Sequence, residues 1–201
     1  MKVFMFSLMF LLYVATGESK PVPGVISITV LKRSKRQSED IIENPQMAKF
    51  SQLTSVWSNC RQMRLFCKTG LYAAVNDLGE IEGVSQKDME QGADGTFQLE
   101  SYGTSMVRIF HVSSKKYIAM NNKGDVVMEK EKSDESLFYV HQEENSYETY
   151  ASIKYFIGGM YDMFLSLNKY GRTRSGRNTF AGHKSAQWVT ADEKNPKSCV
   201  R

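Results

Sequence analysis

From Arg61 onward the chain is built from short runs that are half apolar. "RLFC", "SMVRIFHV" and "SLFYV" are bounded by Gly, Ser, Asp or Lys, the pattern of strands with one buried face. Nowhere does the spacing of apolar residues suggest a long amphipathic helix, so the pattern predicts an all-β chain.

One of these patterns occurs three times. "LYAAVNDLGEI" begins at Leu71, "KYIAMNNKGDVV" at Lys116 and "MFLSLNKYGRT" at Met163. Each places an aromatic residue before small and aliphatic positions and then Asn-x-x-Gly, led by Asn76, Asn121 and Asn168 and closed by Gly79, Gly124 and Gly171. Asn at the first position and Gly at the fourth predict a type I turn whose Gly takes the left-handed conformation that joins a hairpin. The Asn residues recur at spacings of 45 and 47, which calls for a repeat architecture. A propeller needs at least four blades. Three four-stranded units closing into a barrel with a hairpin cap make a β-trefoil, and closure removes exposed strand edges. The expected domain spans residues 60–191, followed by a tail at 192–201.

What precedes the domain differs in character. Lys2 is followed by an apolar run, Val3 to Leu12, broken only by Ser7, and then by Ala15-Thr16-Gly17. That is the form of a secretory signal over residues 1–17. The run is too short for a membrane anchor, which needs about 20 apolar residues. Residues 18–59 begin without periodicity and carry Pro21, Pro23 and Pro45, as a flexible segment does. Within it Arg33-Ser34-Lys35-Arg36 has the Arg-x-Lys-Arg form cut by proprotein convertases. The same cluster has the composition of a nuclear-localisation signal or a solvated linker, but behind a secretory signal the cleavage reading fits best.

Charge separates along the chain. Residues 1–36 carry a net +5, residues 37–153 a net −7 and residues 154–190 a net +5. The folded unit is therefore an acidic body with a basic patch near its C-terminal end. The patch is "GRTRSGRNTFAGHK", where Arg172, Arg174, Arg177 and Lys184 stand among Gly171, Gly176 and Gly182. Alternation along a strand aims Arg172 and Arg174 the same way, and the glycines let turns bring Arg177 and Lys184 round. Arg suits bidentate contact with anions, and several together attract a polyanion. Outside a cell, sulfated glycan fits better than nucleic acid, since only Tyr170 and Phe180 interleave as aromatics. The bland alternative is a solvated loop without a ligand.

Catalytic patterns are missing. His111, His141 and His183 are far apart in the sequence, and no metal-ligand spacing or nucleophile elbow occurs. The Gly171–Gly176 stretch lacks the Lys and Ser/Thr of a phosphate loop. No enzymatic activity, cofactor or metal is expected. Cys60, Cys67 and Cys199 are an odd set. Cys67 has the setting of a buried free thiol, and a Cys60–Cys199 bridge would close the domain.

On these segments the chain resembles the fibroblast growth factor family over roughly residues 61–190. "RLFCKTGLYAAVNDLGEIEGV", "YIAMNNKGDV", "EENSYETYAS" and the glycine box "GRTRSGRNTFAGHKSA" are each similar to a family segment, and they come in the family's order. "TYASIKYFIGGMYDMFLSLNKYG" leans toward the keratinocyte growth factor branch. The resemblance implies a secreted ligand that binds and dimerises a receptor tyrosine kinase, with heparan sulfate as co-ligand. By resemblance the heparan-sulfate-binding positions are Lys68, Asn168, Lys169, Arg172, Arg174, Arg177 and Lys184. The receptor-binding positions are Phe66, Asn145, Tyr147 and Val189, aromatic anchors among them.

The departures bear on signalling. Val140 stands where many members carry a receptor-pairing Glu, Ser85 where an Arg is common, Ala191 where an apolar group such as Met is common, and Ser136 where a Cys is common. Loss of a charged partner costs roughly 2–5 kcal/mol when the opposing group is left buried. This keeps a second reading open: a glycan-binding trefoil or receptor decoy that does not signal. Lectin trefoils with Gln-x-Trp in each repeat fit poorly, because only Gln187-Trp188 approaches that motif. A protease-inhibitor trefoil, which would need an exposed reactive loop, stays open as a further alternative.

The convertase reading is checked by N-terminal sequencing of protein collected from the medium of secreting cells. Cleavage after Arg36 gives material that begins at Gln37; a start near Glu18 would show that only the signal is removed.

Overall fold

A computed structural model describes residues 54, 56–156, 162–192 and 199, all within the unit Ser38–Arg201. The secretory signal at 1–17 and the convertase site at 33–36 lie outside the described residues, as do most of the segment up to residue 55 and most of the tail. Among the described residues ten strands appear in order: β1 Asn59–Cys67, β2 Leu71–Val75, β3 Ile81–Val84, β4 Phe97–Tyr102, β5 Met106–His111, β6 Lys116–Met120, β7 Val126–Glu129, β8 Phe138–Gln142, β9 Glu148–Ser152 and β10 Trp188–Asp192. One short helix, α1 Gln86–Glu90, lies between β3 and β4.

The barrel follows from the pairing. β1 pairs with β4 and β10, β10 with β9, β9 with β8, β8 with β5 and β5 with β4, all antiparallel. These six strands form a closed ring, so none of them presents a free edge. Hairpins β2–β3 and β6–β7 stand on the ring as two parts of a cap. The third hairpin, residues 163–174, is reduced to the single bridge Leu167↔Thr173. The chain is thus an all-β trefoil of three four-stranded units: β1–β4, β5–β8, and β9 with the third hairpin and β10.

Alternation along β1 shows why these residues become strands. Met63, Leu65 and Cys67 are fully buried at every second position, while Arg64 and Phe66 between them stay partly exposed. All three repeats feed one core, which includes Phe97, Leu99, Ile109, Ile118, Phe138, Tyr150, Leu165 and Trp188. Trp188 buries its ring and satisfies its indole N–H on the Leu165 carbonyl at 3.0 Å. Tyr150 is buried likewise, and its hydroxyl donates to Glu148 Oε2 at 2.7 Å. Burial and the neighbouring Glu148 carboxylate push that phenol well above its ordinary pKa.

The three turns are built alike. In each, the Asn side-chain oxygen accepts from the backbone N–H groups two and four residues on: Leu78 and Glu80 at Asn76, Lys123 and Asp125 at Asn121, Tyr170 and Arg172 at Asn168. The closing glycines have φ of +79°, +81° and +79°. The turns are then locked together through backbone. Gly83 N–H donates to the Gly171 carbonyl at 2.8 Å, and Gly176 N–H to the Gly124 carbonyl at 2.7 Å.

Two further features fasten the domain. Cys60, near the start of β1, is bonded to Cys199 beyond β10. In the chain-entropy view a loop of this length stabilises by on the order of 4–5 kcal/mol. Cys67 is free and buried, its sulfur 3.5–3.7 Å from the carbonyls of Leu167, Lys184 and Ser185, and burial raises its thiol pKa. The second feature is a polar knot on β4 and β5. Buried Glu100 accepts from Tyr102 at 2.8 Å and Tyr117 at 3.3 Å and pairs with Lys132 at 2.9 Å. Burial, then the Glu100 charge, pushes Tyr117 up to about 12. Neighbouring Arg108 reaches Thr54, ahead of β1, at 3.1 Å, and Ser136 at 3.3 Å.

A Cβ added at Gly171 would stand 2.6 Å from the Gly83 carbonyl oxygen, on top of the left-handed strain. Gly171→Ala is therefore expected to cost roughly 2–4 kcal/mol, strain and overpacking together. At Gly70, also left-handed but with open space around it, alanine should cost only about 1–2 kcal/mol. Denaturant unfolding of both variants checks the difference; equal losses would show that the Gly83–Gly171 approach does not hold the cap.

Candidate functional site

Six of the seven residues assigned to anion binding fall on the third hairpin and the loop after it, where the residues serve in two ways. Lys169, Arg172 and Lys184 are exposed, and the side chains of Arg172 and Lys184 have no hydrogen-bond or ion-pair partner among the described residues. Lys169 lies 5.0 Å over the ring of exposed Tyr170. Arg174 and Arg177, by contrast, are anchored. Arg174 donates to Ser185 Oγ and to the Asn178 carbonyl, each at 3.1 Å. Arg177 donates twice to the Asn122 carbonyl, at 3.2 and 2.7 Å. Each guanidinium has five N–H donors, so these bonds fix its direction and leave others for a ligand. The side-chain oxygen of Asn168 is taken up by its own turn.

The Arg172 backbone bridges to Glu82, and the chain then bends into the 3-10 turn Gly176–Asn178. That bend swings Arg177 onto the second repeat's turn, where Ser175 Oγ also donates to the Lys123 carbonyl at 3.0 Å. Exposed Lys123 therefore stands beside the basic loop, which sequence reasoning missed. Comparing the three turns as mutual neighbours, and not only as copies, would have found it. An open depression of about 710 Å³ on the cap is lined by Ile81, Val126, Met128 and Arg172, but also by Glu80 and Glu82. Its mixed charge makes it a poor seat for a polyanion.

Lys68, the seventh residue, lies apart in the β1–β2 turn. Its ammonium is 2.6 Å from Gln187 Oε1 and 4.4 Å from the centroid of the Tyr147 ring. It thereby meets the second group of assigned residues. Phe66 and Val189 are cross-strand partners on β1 and β10, and Phe66 leans on Tyr72 with ring centroids 4.8 Å apart. Asn145 accepts from the Tyr147 N–H at 3.1 Å and donates to Gln187 Oε1 at 3.2 Å. Val189 is 38% exposed, so an apolar anchor remains at the surface here. Asn145 and Tyr147 thus meet at Lys68 and at Gln187, which sequence reasoning did not single out, and Phe66 and Val189 follow on the adjoining strands β1 and β10.

Three of the four departures have a structural use. Val140 packs against the main core and pairs with Tyr150 across β8–β9. Ser136 is buried and donates to the Ser133 carbonyl at 2.8 Å while accepting from Ser133 N and Arg108 Nε, work a thiol does less well. Ser85 caps α1: its hydroxyl accepts from Asp88 N–H and donates to Asp88 Oδ2 at 2.6 Å, and its own N–H returns to the same carboxylate. Ala191 sits opposite Arg64 in the β1–β10 register, and nothing in the structure explains it. Among the described residues no group of three His, Cys, Asp or Glu is placed to hold a metal ion, and no helix is long and apolar enough to cross a membrane.

Comparison with known proteins places this geometry. Residues 61–189 match the family described as fibroblast growth factor. The chain is 30% identical to fibroblast growth factor 7 of Homo sapiens over 129 residues, 64% of each chain. It is 29% identical to fibroblast growth factor 2 of Gallus gallus over 133 residues, 66% of this chain and 79% of that one. With fibroblast growth factor 10 of Mus musculus it shares 29% over 129 residues, 64% and 60% of the two chains. The match thus spans a little under two thirds of the fibroblast growth factor 7 relatives' length.

The capping box has a pH signature. Hydrogen bonds from the Ser85 hydroxyl and backbone N–H hold Asp88 below its ordinary carboxylate pKa. A lowered folded pKa stabilises fully above the unfolded value and less as pH falls through the folded one. Ser85→Ala should therefore be less stable than wild type at neutral pH, with the gap narrowing in acid below the ordinary carboxylate range. Denaturant midpoints across that range check it; a gap independent of pH would remove the Asp88 interaction from the account.

Proposed function

Since the chain belongs to the fibroblast growth factor family, we propose that it is a secreted growth factor that binds and activates a fibroblast growth factor receptor tyrosine kinase with heparan sulfate as co-ligand. The observation that carries this reading is the adjacency of two surfaces. A basic loop whose Arg174 and Arg177 are anchored by their own hydrogen bonds runs up to a face bearing Phe66, Asn145, Tyr147 and Val189. Fixing the arginines beforehand lowers the entropy lost when sulfate groups bind. Arg172, Lys169 and Lys184 add unpaired charge on a body that is otherwise acidic. Half-buried aromatics beside an exposed aliphatic side chain are suited to a protein partner.

A second reading draws on Val140 and Ser85. One is committed to the core and the other to capping α1, so neither offers a charge to a receptor. A ligand lacking those contacts would bind glycan and occupy a receptor without activating it.

The test uses protein secreted from cells, applied to a heparin column and then to cells bearing receptor ectodomains fused to their kinases. Wild type is expected to elute well above physiological salt and to drive receptor phosphorylation only with heparin present. The combined Lys169→Ala, Arg172→Ala, Lys184→Ala variant should elute at clearly lower salt. Heparin retention without phosphorylation would favour the non-signalling reading, and elution of the variant with wild type would move the glycan site elsewhere.

A further inference from the structure

The two surfaces meet at one side chain. Gln187 is 5% exposed and uses every polar group it has. Its Oε1 accepts from Lys68 Nζ at 2.6 Å and from Asn145 Nδ2 at 3.2 Å, and its Nε2 donates to the Ala181 carbonyl at 3.1 Å. Its backbone carbonyl takes the Lys68 N–H at 2.9 Å. One buried amide thus holds a lysine assigned to the glycan, an asparagine assigned to the protein partner, and the loop that carries the basic patch. Lys68 in turn lies over Tyr147, a second residue of the partner face.

We propose that Gln187 is a positioning residue that couples the glycan-binding loop to the partner-binding face, so that an anion held at Lys68 changes the setting of Asn145 and Tyr147. This rests on the glycan reading given above.

The physical route is short. An ammonium has three donors; Gln187 takes one and the Tyr147 ring receives the cation's field, which leaves the rest for sulfate. Sulfate draws the ammonium toward itself and weakens its hold on Oε1. Because Asn145 shares that acceptor, its own hydrogen bond strengthens or turns as Lys68 leaves. Tyr147 loses a cation from above its ring at the same moment. Movement of the loop adds to this through Ala181. Coupling is reciprocal, so a partner that fixes Asn145 and Tyr147 must in turn alter anion affinity at Lys68.

The experiment is a titration of the isotopically labelled, secreted chain with a heparin-derived hexasaccharide, followed by nuclear magnetic resonance without any receptor. In wild type, resonances of residues 172–184, the Asn145 side-chain amide and the Tyr147 ring are expected to shift with one midpoint. In Gln187→Met the loop should still respond, and with it the Tyr147 ring that Lys68 covers directly, while the Asn145 shift is lost. Gln187→Glu should restore it, because a carboxylate oxygen still accepts from both Lys68 and Asn145. If Gln187→Met does not fold, Lys68→Met, a change at a partly exposed site, should give the same loss. A wild type in which the loop shifts but Asn145 and Tyr147 stay still overturns the coupling and leaves the glycan reading standing, as does an undiminished Asn145 response in the methionine variants. If the loop itself does not shift, the glycan reading falls and the coupling with it.

Discussion

Everything in this fold depends on turning the chain sharply three times and in the same way. An asparagine oxygen does this by accepting two backbone N–H groups that a tight turn would otherwise leave unpaired. Glycine at the fourth position then takes a conformation that other residues reach only with strain. With that geometry secured, each hairpin leans into the centre of the cap, and the strands on either side are set at the angle at which six of them close. The close approaches Gly83–Gly171 and Gly124–Gly176 are results of the same constraint, since only backbone can meet backbone at such distances.

The basic patch illustrates how a loop with few strands can still be firm. Residues 174–186 have almost no ladder hydrogen bonds, yet Arg174 and Arg177 tie them to Ser185, Asn178 and Asn122. Thr179 adds a buried tie of its own, donating from its hydroxyl to the Gly176 carbonyl at 2.6 Å. Side chains that in isolation look like ligand-seeking charges serve first as braces. The hydrogen bonds they make fix the direction of each guanidinium within the folded chain.

Much of this was legible in the sequence because it is local. The Asn-x-x-Gly turns, their period, the alternation of Met63, Leu65 and Cys67, and the buried free thiol all follow from neighbours within a few residues. What stayed hidden depends on residues far apart in the chain. Gln187 looks like an ordinary polar residue beside a tryptophan, and only the pairing of β10 with both β1 and β9 brings it under Lys68 and Asn145. Lys123 belongs to a different repeat from the arginines beside it. Ser85 and Val140 looked like losses at a contact surface, whereas the folded chain uses one as a helix cap and packs the other, partly buried, against the core. The third hairpin was expected as two strands; its Arg-Thr-Arg arm leaves the ladder after one bridge because the backbone bonds instead to the first repeat.

The bond between Cys60 and Cys199 joins points that flank the whole ring of strands. In mechanical terms it is a bypass. Tension drawn on the chain ahead of residue 60 and resisted beyond residue 199 passes through sulfur and never enters the seam between first and last strands. The β1–β10 ladder, which in an open chain would be the first to unzip under load, is thereby spared. The bypass lasts for as long as the surroundings of the bond remain oxidising.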